Sequence, residues 1–221
     1  MGETMENDSR KTFEETERAM YGVFAFHEAT RERFDDACAS YVGTVNPRAL
    51  REEEPSEEEL RLSNLCFTEF YVFEYRALGL TGDRCAIDNY LMGARGYSDE
   101  TGHVLESIRD SQLFSKFGIV DKSPEDSMVT LRDVTTGIVR DVFDPVTAGR
   151  RSWRSGAVCE RIACVGGRWV CVGRARFYDR AEPVYPSGCP TPETVGLDFL
   201  ATCHDVIGFD GRYSMTARVV G

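Results

Sequence analysis

Eight arginines fall between positions 150 and 180: Arg150, Arg151, Arg154, Arg161, Arg168, Arg174, Arg176 and Arg180. The same stretch holds two acids, Glu160 and Asp179, so it carries +6 in a chain whose net charge is −11. Trp153, Trp169, Phe177 and Tyr178 are interleaved with the arginines. A guanidinium is a planar, permanently charged fork. It grips a carboxylate or phosphate through paired hydrogen bonds and stacks on aromatic rings. Arginines laced with aromatics are therefore the footprint of a surface that meets phosphates or an acidic partner. Arg150, Arg151, Trp153, Arg154, Arg161, Arg168, Arg174 and Arg176 are the candidate binding residues. An internal role competes with this reading. On an alternating strand Arg174 and Arg176 share one face while Gly173 and Ala175 share the other, as in any half-exposed sheet.

Glu69 and Glu74 are the second pair able to do chemistry. They lie in Leu65–Tyr75, a run apolar almost all round, and a carboxyl in apolar surroundings holds its proton unless it is paired. Such a group can act as a general acid, so these two are the only catalytic candidates. The competing expectation is a structural ion pair between this segment and the arginine-rich half.

Other chemistry finds little support. There is no phosphate-binding glycine loop, nucleophile elbow or HExxH. His27 sits on an apolar helical stripe, and His103 near a helix start reads as solvent-facing. Cys203, His204 and Asp205 are adjacent on a helix, so they point in different directions and converge on one ion only with help from elsewhere. Pooling with Cys189, Cys164 and Cys171 would make a zinc site, against which stands the lack of a tight ligand pair. None of the eight cysteines forms a C-x-x-C pair, so no metal or cofactor is expected. Cys164 and Cys171 are expected as free thiols packed by Trp169, because their separation across a hairpin exceeds what a disulfide tolerates.

These groups must be positioned by a folded chain. Of the 221 residues, 42% are hydrophobic and 11% aromatic, which excludes disorder. Charge is unevenly spread. Residues 1–60 carry −9, residues 61–128 carry −4 and residues 129–221 carry +2. The acidic front half disfavours free nucleic acid and offers internal partners for the arginines. No signal-peptide core or membrane-length apolar run is present, so the chain reads as cytoplasmic, with no membrane partner.

Phe13, Met20, His27, Phe34 and Tyr41 recur every seven residues, which predicts one long helix over 9–42. Residues 51–59 form an acidic linker whose Ser56 and Glu59 have capping-box spacing. The helix they start runs to about residue 77, stopped by Gly79 and Gly82. Phe67–Tyr75 should be the most buried helical stretch, because a helix apolar on every side is buried on every side. Shorter helices follow over Cys85–Gly93 and from Ser98 or Asp99 to Phe114.

From Phe117 the period changes to two. Met128–Val134 and Ile138–Phe143 form a hairpin. A two-residue Thr136-Gly137 turn would set Arg132 opposite Asp141 and Asp133 opposite Arg140; a three-residue loop with Gly137 as a bulge would break both pairings. Val158–Val165 and Trp169–Phe177 form a second hairpin around Gly166-Gly167. Thr191-Pro192-Glu193 marks the start of a helix over about 192–206, and Arg212–Val220 reads as a last strand.

Three segments also carry a likeness: Phe67-Thr68-Glu69-Phe70-Tyr71-Val72-Phe73-Glu74-Tyr75-Arg76, then Leu131-Arg132-Asp133-Val134-Thr135-Thr136-Gly137, then Arg161 followed by the Gly-Gly hairpin. Together they resemble a family of uncharacterised bacterial proteins, some of which carry a SEC-C zinc motif. The resemblance covers about residues 60–185. It implies a helical segment ahead of a β module and no established activity. The SEC-C cysteine cluster has no match in this chain.

The expected fold is α+β. A helical region over 1–116 packs on a β-rich region over 117–221, a small, strongly bent antiparallel sheet or partial barrel of SH3-like or OB-like size, with a late helix and strand. The expected function is a non-catalytic interaction module, whose Arg/aromatic face binds an acidic protein segment or nucleic acid. The alternative is a hydrolase-like enzyme using Glu69 or Glu74 in a cleft between the two halves. Partner identity and oligomeric state are left open.

Overall fold

Alternation after Ser111 builds a closed barrel, and the helices pack on one side of it. In the computed structural model, backbone is described for residues 2–27, 31–45, 54, 56–76, 84–93, 96–185, 196–208 and 215–217; side chains are described for the same residues except 2–7, 24–27, 31–32, 208 and 215–217. The helices are α1 (Gly2–His27), α2 (Arg31–Thr44), α3 (Glu57–Phe73), α4 (Ala86–Gly93), α5 (Asp99–Ser111), α6 (Pro145–Gly149) and α7 (Phe199–Cys203), the last running into a π-helical turn, His204–Gly208. The strands are β1 (Leu113–Ser123), β2 (Met128–Asp133), β3 (Val139–Phe143), β4 (Ala157–Val165), β5 (Arg168–Cys171), β6 (Phe177–Asp179) and β7 (Met215–Ala217). The fold is thus α+β, with the helical half leading and the β half following.

Strand order is β1-β2-β3-β5-β4-β6-β7, and β1 also pairs with β4. That extra pairing closes five strands into a ring. Only β3–β5 is parallel; the other pairs are antiparallel. With α6 between β3 and β4, this is the connectivity of an OB-type barrel. The 11-residue β1 serves two neighbours, β4 with its first half and β2 with its second, and a register irregularity between Ile119 and Asp121 bends it.

Strand β4 explains the layering. Val158 and Ile162 face the barrel interior with Leu113, Phe117, Val129, Leu131 and Val142. Cys159, Ala163 and Val165 face the other way, against helices. Ala19, Met20 and Val23 of α1, Val72 and Phe73 of α3, and Leu105 and Ile108 of α5 cover that outer face. A strand covered on both sides reads as continuously buried, as β4 does.

Helix α3 starts as its sequence says. Ser56 accepts from the Glu59 amide at 3.3 Å, and the Glu59 carboxylate accepts from the Ser56 amide at 2.7 Å. Such a cap contributes about 1 kcal/mol. Glu69–Phe73 is the longest unbroken buried run in the described helices. Gly79 and Gly82 lie outside the described residues.

Three expectations are corrected, and a fourth, the helix over 9–42, falls partly outside the described residues. The helix read over 9–42 is described as α1 and α2, on either side of residues 28–30, which are not described. Its stripe serves different clusters: Phe13 and Met20 pack on β3 and α5, and Tyr41 packs with Phe70 and Phe177. The helix read to Phe114 ends at Ser111, because Gln112 takes an extended ψ of 140°, and Leu113 and Phe114 already belong to β1. The β2–β3 register is two residues away from the Thr136-Gly137 reading: Arg132 faces Val139, Leu131 faces Arg140 and Thr130 faces Asp141. Asp133 causes this. Its carboxylate accepts from the Thr135 and Thr136 amides at 2.9 and 2.7 Å, building a longer loop that Gly137 closes at φ 71°. The late helix begins at Phe199, because Asp198 caps it through the Ala201 amide. Residues 186–195 are not described; Leu197 lies along β1, its amide donating to the Phe114 carbonyl at 3.0 Å.

The second hairpin has the expected register. Cys164 faces Trp169 and Ile162 faces Cys171, across Gly166 (φ 57°) and Gly167 (φ 79°). Two successive positive φ values make the primed turn that matches strand twist. Cys164 and Cys171 are free thiols. Among the described residues no helix is long and apolar enough to cross a membrane.

Candidate functional site: two buried arginines, an exposed loop and the barrel mouth

The eight candidate binding residues do not share one face. Arg161 lies on the outer side of β4, only 1% exposed, between the barrel and α3. Arg176 follows the β5–β6 crossover and points into the barrel interior, 5% exposed. Trp153 is folded under its loop, stacked on Tyr178 at 4.8 Å with 9° between planes. Arg168 and Arg174 reach α1, pairing with Asp8 at 3.0 Å and Glu17 at 3.9 Å. The acidic front half therefore takes up part of the cluster within the molecule. Arg150, Arg151 and Arg154 remain on the outer loop between α6 and β4. The alternation that would set Arg174 beside Arg176 fails because β5 ends at Cys171, and the chain crosses over at Gly173 before β6 begins.

Arg161 and Glu69 form the expected ion pair between the helical segment and the β half, Nε to Oε1 at 2.8 Å. The other Glu69 oxygen accepts from the Arg174 and Ala175 amides at 2.8 and 3.1 Å. A side chain at Gly173 would put Cβ 2.9 Å from that oxygen. Arg161 also donates to Glu74 at 2.5 Å and to the Gln112 side-chain oxygen. The rings of Phe73, Phe114 and Phe199 surround it at 4.7, 5.4 and 5.3 Å. Glu69 is thus sealed and its oxygens are occupied. A general acid must come within hydrogen-bond reach of its substrate, which Glu69 does not. Glu74 is partly exposed and shares Arg161 with Glu69.

The second buried network escaped the sequence reading. Inside the barrel Arg176 forks onto Asp144, Nη2 to Oδ1 at 2.9 Å and Nε to Oδ2 at 3.2 Å. It also donates to Cys171 Sγ at 3.1 Å and lies 3.7 Å from Glu160. Thr147 of α6 donates to Glu160 at 3.3 Å. Burial pushes the Glu160 carboxyl well above its ordinary range, and the neighbouring Asp144 adds to this. Burial would also raise Asp144, but Arg176 outweighs it and holds Asp144 below its usual value. Burial and Asp144 thus favour the protonated form of Glu160, in which one arginine balances one carboxylate. Burial likewise pushes the Cys171 thiol up, which leaves it un-ionised.

Asp144, Glu160 and Cys171 each place one ligand atom within 4.8 Å of the others, a spacing compatible with an ion. The Arg176 guanidinium already lies among these atoms as their cation. A metal there would face a fixed positive charge, so the group does not fit one and its role is structural. Its sequence signal was Glu160-Arg161 in the middle of an otherwise apolar strand. Of the three histidines, His103 is exposed beside Glu106 and His204 sits 3.4 Å from Asp205; the His27 side chain lies outside the described residues.

The loop carrying Arg150, Arg151 and Arg154 is braced from below. Lys122 of β1 donates to the Arg150 and Trp153 carbonyls at 2.7 and 2.8 Å, and the Tyr178 hydroxyl donates to the Ser155 carbonyl at 2.7 Å. Gly156 closes it at φ 92°, where a Cβ would lie 2.3 Å from the Asp179 carbonyl oxygen. Arg151 and Arg154 line a shallow groove of about 500 Å³ with Val120 and Pro124 of the β1–β2 hairpin. Among the described residues none of the three arginines pairs with a carboxylate.

At one end of the barrel, α6 reaches the interior cluster through Ala148. The opposite end opens into a cleft of about 420 Å³, lined by Arg140, Trp169, Cys164, Gln112 and Glu74 among others. No protein-family model matches the chain, and neither a curated protein nor a solved structure matches it.

Proposed function

We propose that the protein is a non-catalytic interaction module that binds an acidic segment of a partner protein through the 150–156 loop. One observation carries this reading. In a chain with net charge −11, Arg150, Arg151 and Arg154 have no carboxylate partner among the described residues, while Arg161, Arg168, Arg174 and Arg176 each face one. The loop is pre-organised by the Trp153–Tyr178 stack and the Lys122 hydrogen bonds, so little ordering entropy is lost when it meets a ligand. Val120, 57% exposed on the adjoining strand, offers an apolar contact beside the charges. Carboxylates of an extended acidic segment suit three forks spread over five positions. The overall negative charge opposes a long polyanion such as RNA.

The test is fluorescence anisotropy with a labelled glutamate-rich peptide and with a labelled single-stranded RNA, at low and physiological salt. The peptide should bind, weaken with salt, and lose its binding when Arg150, Arg151 and Arg154 are all changed to Ala. RNA binding that exceeds peptide binding, with a steep salt slope, would move the assignment to nucleic acid. No peptide binding at low salt would overturn the proposal.

A further inference from the structure

The open end of the barrel carries a second, independent set of groups. Arg140 stands on the interior face of β3, two residues before Val142. Its guanidinium lies over the Trp169 ring, 4.7 Å from the centroid. Its Nη1 is buried and has no hydrogen-bond partner among the described residues. A buried donor without an acceptor is costly, and native structures rarely leave one without a reason. Burial pulls the Arg140 pKa down, and Asp133 partly restores it. No hydrogen bond joins Asp133 to Arg140; the Asp133 Oδ1 accepts from the Thr135 and Thr136 amides.

The other charged side chains of the cleft each have a hydrogen-bonded partner, with Arg161 shared between Glu69 and Glu74. Glu74 is held by Arg161 at 2.5 Å. Asp110 is held by its neighbour Arg109 through bonds of 2.7 and 3.1 Å. Gln112 turns its side-chain oxygen to Arg161, which fixes the amide orientation and leaves the NH2 group without an acceptor among the described residues. The cleft thus combines an unsatisfied guanidinium, an amide donor and an indole face. Its volume of about 420 Å³ falls in the range of small-molecule sites.

We infer that the barrel mouth binds a small planar organic anion, its carboxylate or phosphate oxygens meeting Arg140 and the Gln112 amide and its ring meeting Trp169. An oxyanion supplies the acceptor that Arg140 Nη1 lacks once the guanidinium turns that sealed nitrogen toward the cleft. A ring recovers apolar area on the indole, which a free inorganic ion does not. Glu74, paired but partly exposed, stands at the rim and disfavours ligands with several negative charges.

Three probes separate the sources of this chemistry: benzoate, adenosine monophosphate and inorganic phosphate. Each is titrated into the full chain with tryptophan fluorescence and calorimetry as readouts. Trp153 is 2% exposed, so a ligand-dependent change reports Trp169. Saturable binding of benzoate or of the nucleotide supports the site, and which one binds identifies carboxylate or phosphate. Arg140→Gln should weaken that binding by about ten-fold or more, the worth of a charged hydrogen bond. If Arg140→Gln does not fold, Arg140→Lys, which keeps the charge but not the fork, should still bind measurably more weakly than the parent. No saturable binding of either ring-bearing probe, unchanged affinity in the Arg140 variant, or inorganic phosphate binding as well as the nucleotide would each overturn the inference. None of these outcomes bears on the peptide site of the 150–156 loop.

Discussion

Arg161 Nε and Glu69 Oε1 meet at 2.8 Å with both side chains sealed from solvent, and this contact joins the helical half to the barrel. Taking two charges out of water costs several kcal/mol each, and their attraction repays this only when the remaining hydrogen bonds are satisfied. Here the two amides of the β5–β6 crossover satisfy Glu69, and Glu74 with Gln112 satisfies Arg161. Arg161→Met leaves the Glu69 charge buried with only the two amides, so it should destabilise by about 3–5 kcal/mol. The double variant Arg161→Met, Glu69→Gln removes the stranded charge and keeps an acceptor for the amides. It should recover part of that loss, giving a coupling of about 0.5–3 kcal/mol. Urea unfolding of both single variants and the double decides it. Strict additivity would show that the pair does not act as a unit.

Gly173 is required by close approach. Its Cβ would sit 2.9 Å from one Glu69 oxygen and 3.0 Å from Arg161 Cβ, so neither neighbour has room to yield without losing a hydrogen bond. Gly173→Ala should therefore cost about 1–3 kcal/mol, as overpacking does. Gly43, with nothing within 4 Å of the position of a Cβ, is the control and should tolerate Ala. Thermal unfolding of the two variants checks the contrast. Equal midpoints would mean that Glu69 relaxes away from the crossover at no cost.

Legibility in the sequence followed from how many physical alternatives each residue left open. Gly166-Gly167 left one, because two positive-φ positions make a two-residue turn and a two-residue turn sets the register. Leu65–Tyr75 also left one, because a helical stretch apolar almost all round has no face to give to water, although the helix ends at Phe73, short of the expected residue 77. Asp133 left two: its side chain can face a cross-strand arginine or cap its own loop, and the cap prevailed. Strand alternation tells which residues share a face, but not that both faces of β4 are covered, so Arg161 reads as a surface group; Arg176 does so because the alternation gives no sign that β5 ends at Cys171. Glu160 escaped for the same reason. An acid beside an arginine in an apolar strand is a sign of burial, and it was read only as charge. Arg140 was placed in a salt-bridge register that does not exist, so its position over Trp169 at the barrel mouth stayed hidden.

Glu160 sets the pH dependence. Its folded carboxyl holds the proton well above the ordinary value of 4.5 because it is buried and faces Asp144. The folded chain then binds this proton more tightly than the unfolded chain. The stabilisation is full below pH 4.5 and is lost as pH rises through the folded value, at about 1.4 kcal/mol per pH unit traversed. Asp144 has the opposite sign. Held below its ordinary 3.8, it stabilises the fold above that pH and is lost on acidification. Glu160→Gln retains the shape, donates to Asp144 through its NH2 and accepts from Thr147 through its oxygen, but cannot ionise. Parent and variant should therefore be similarly stable at acidic pH, and the variant should become the more stable one toward neutral and alkaline pH. Urea midpoints of both proteins across the pH range supply the measurement. Curves that stay parallel from acid to alkaline pH would show that Glu160 is ionised in the folded barrel, and that Arg176 balances two carboxylates there instead of one.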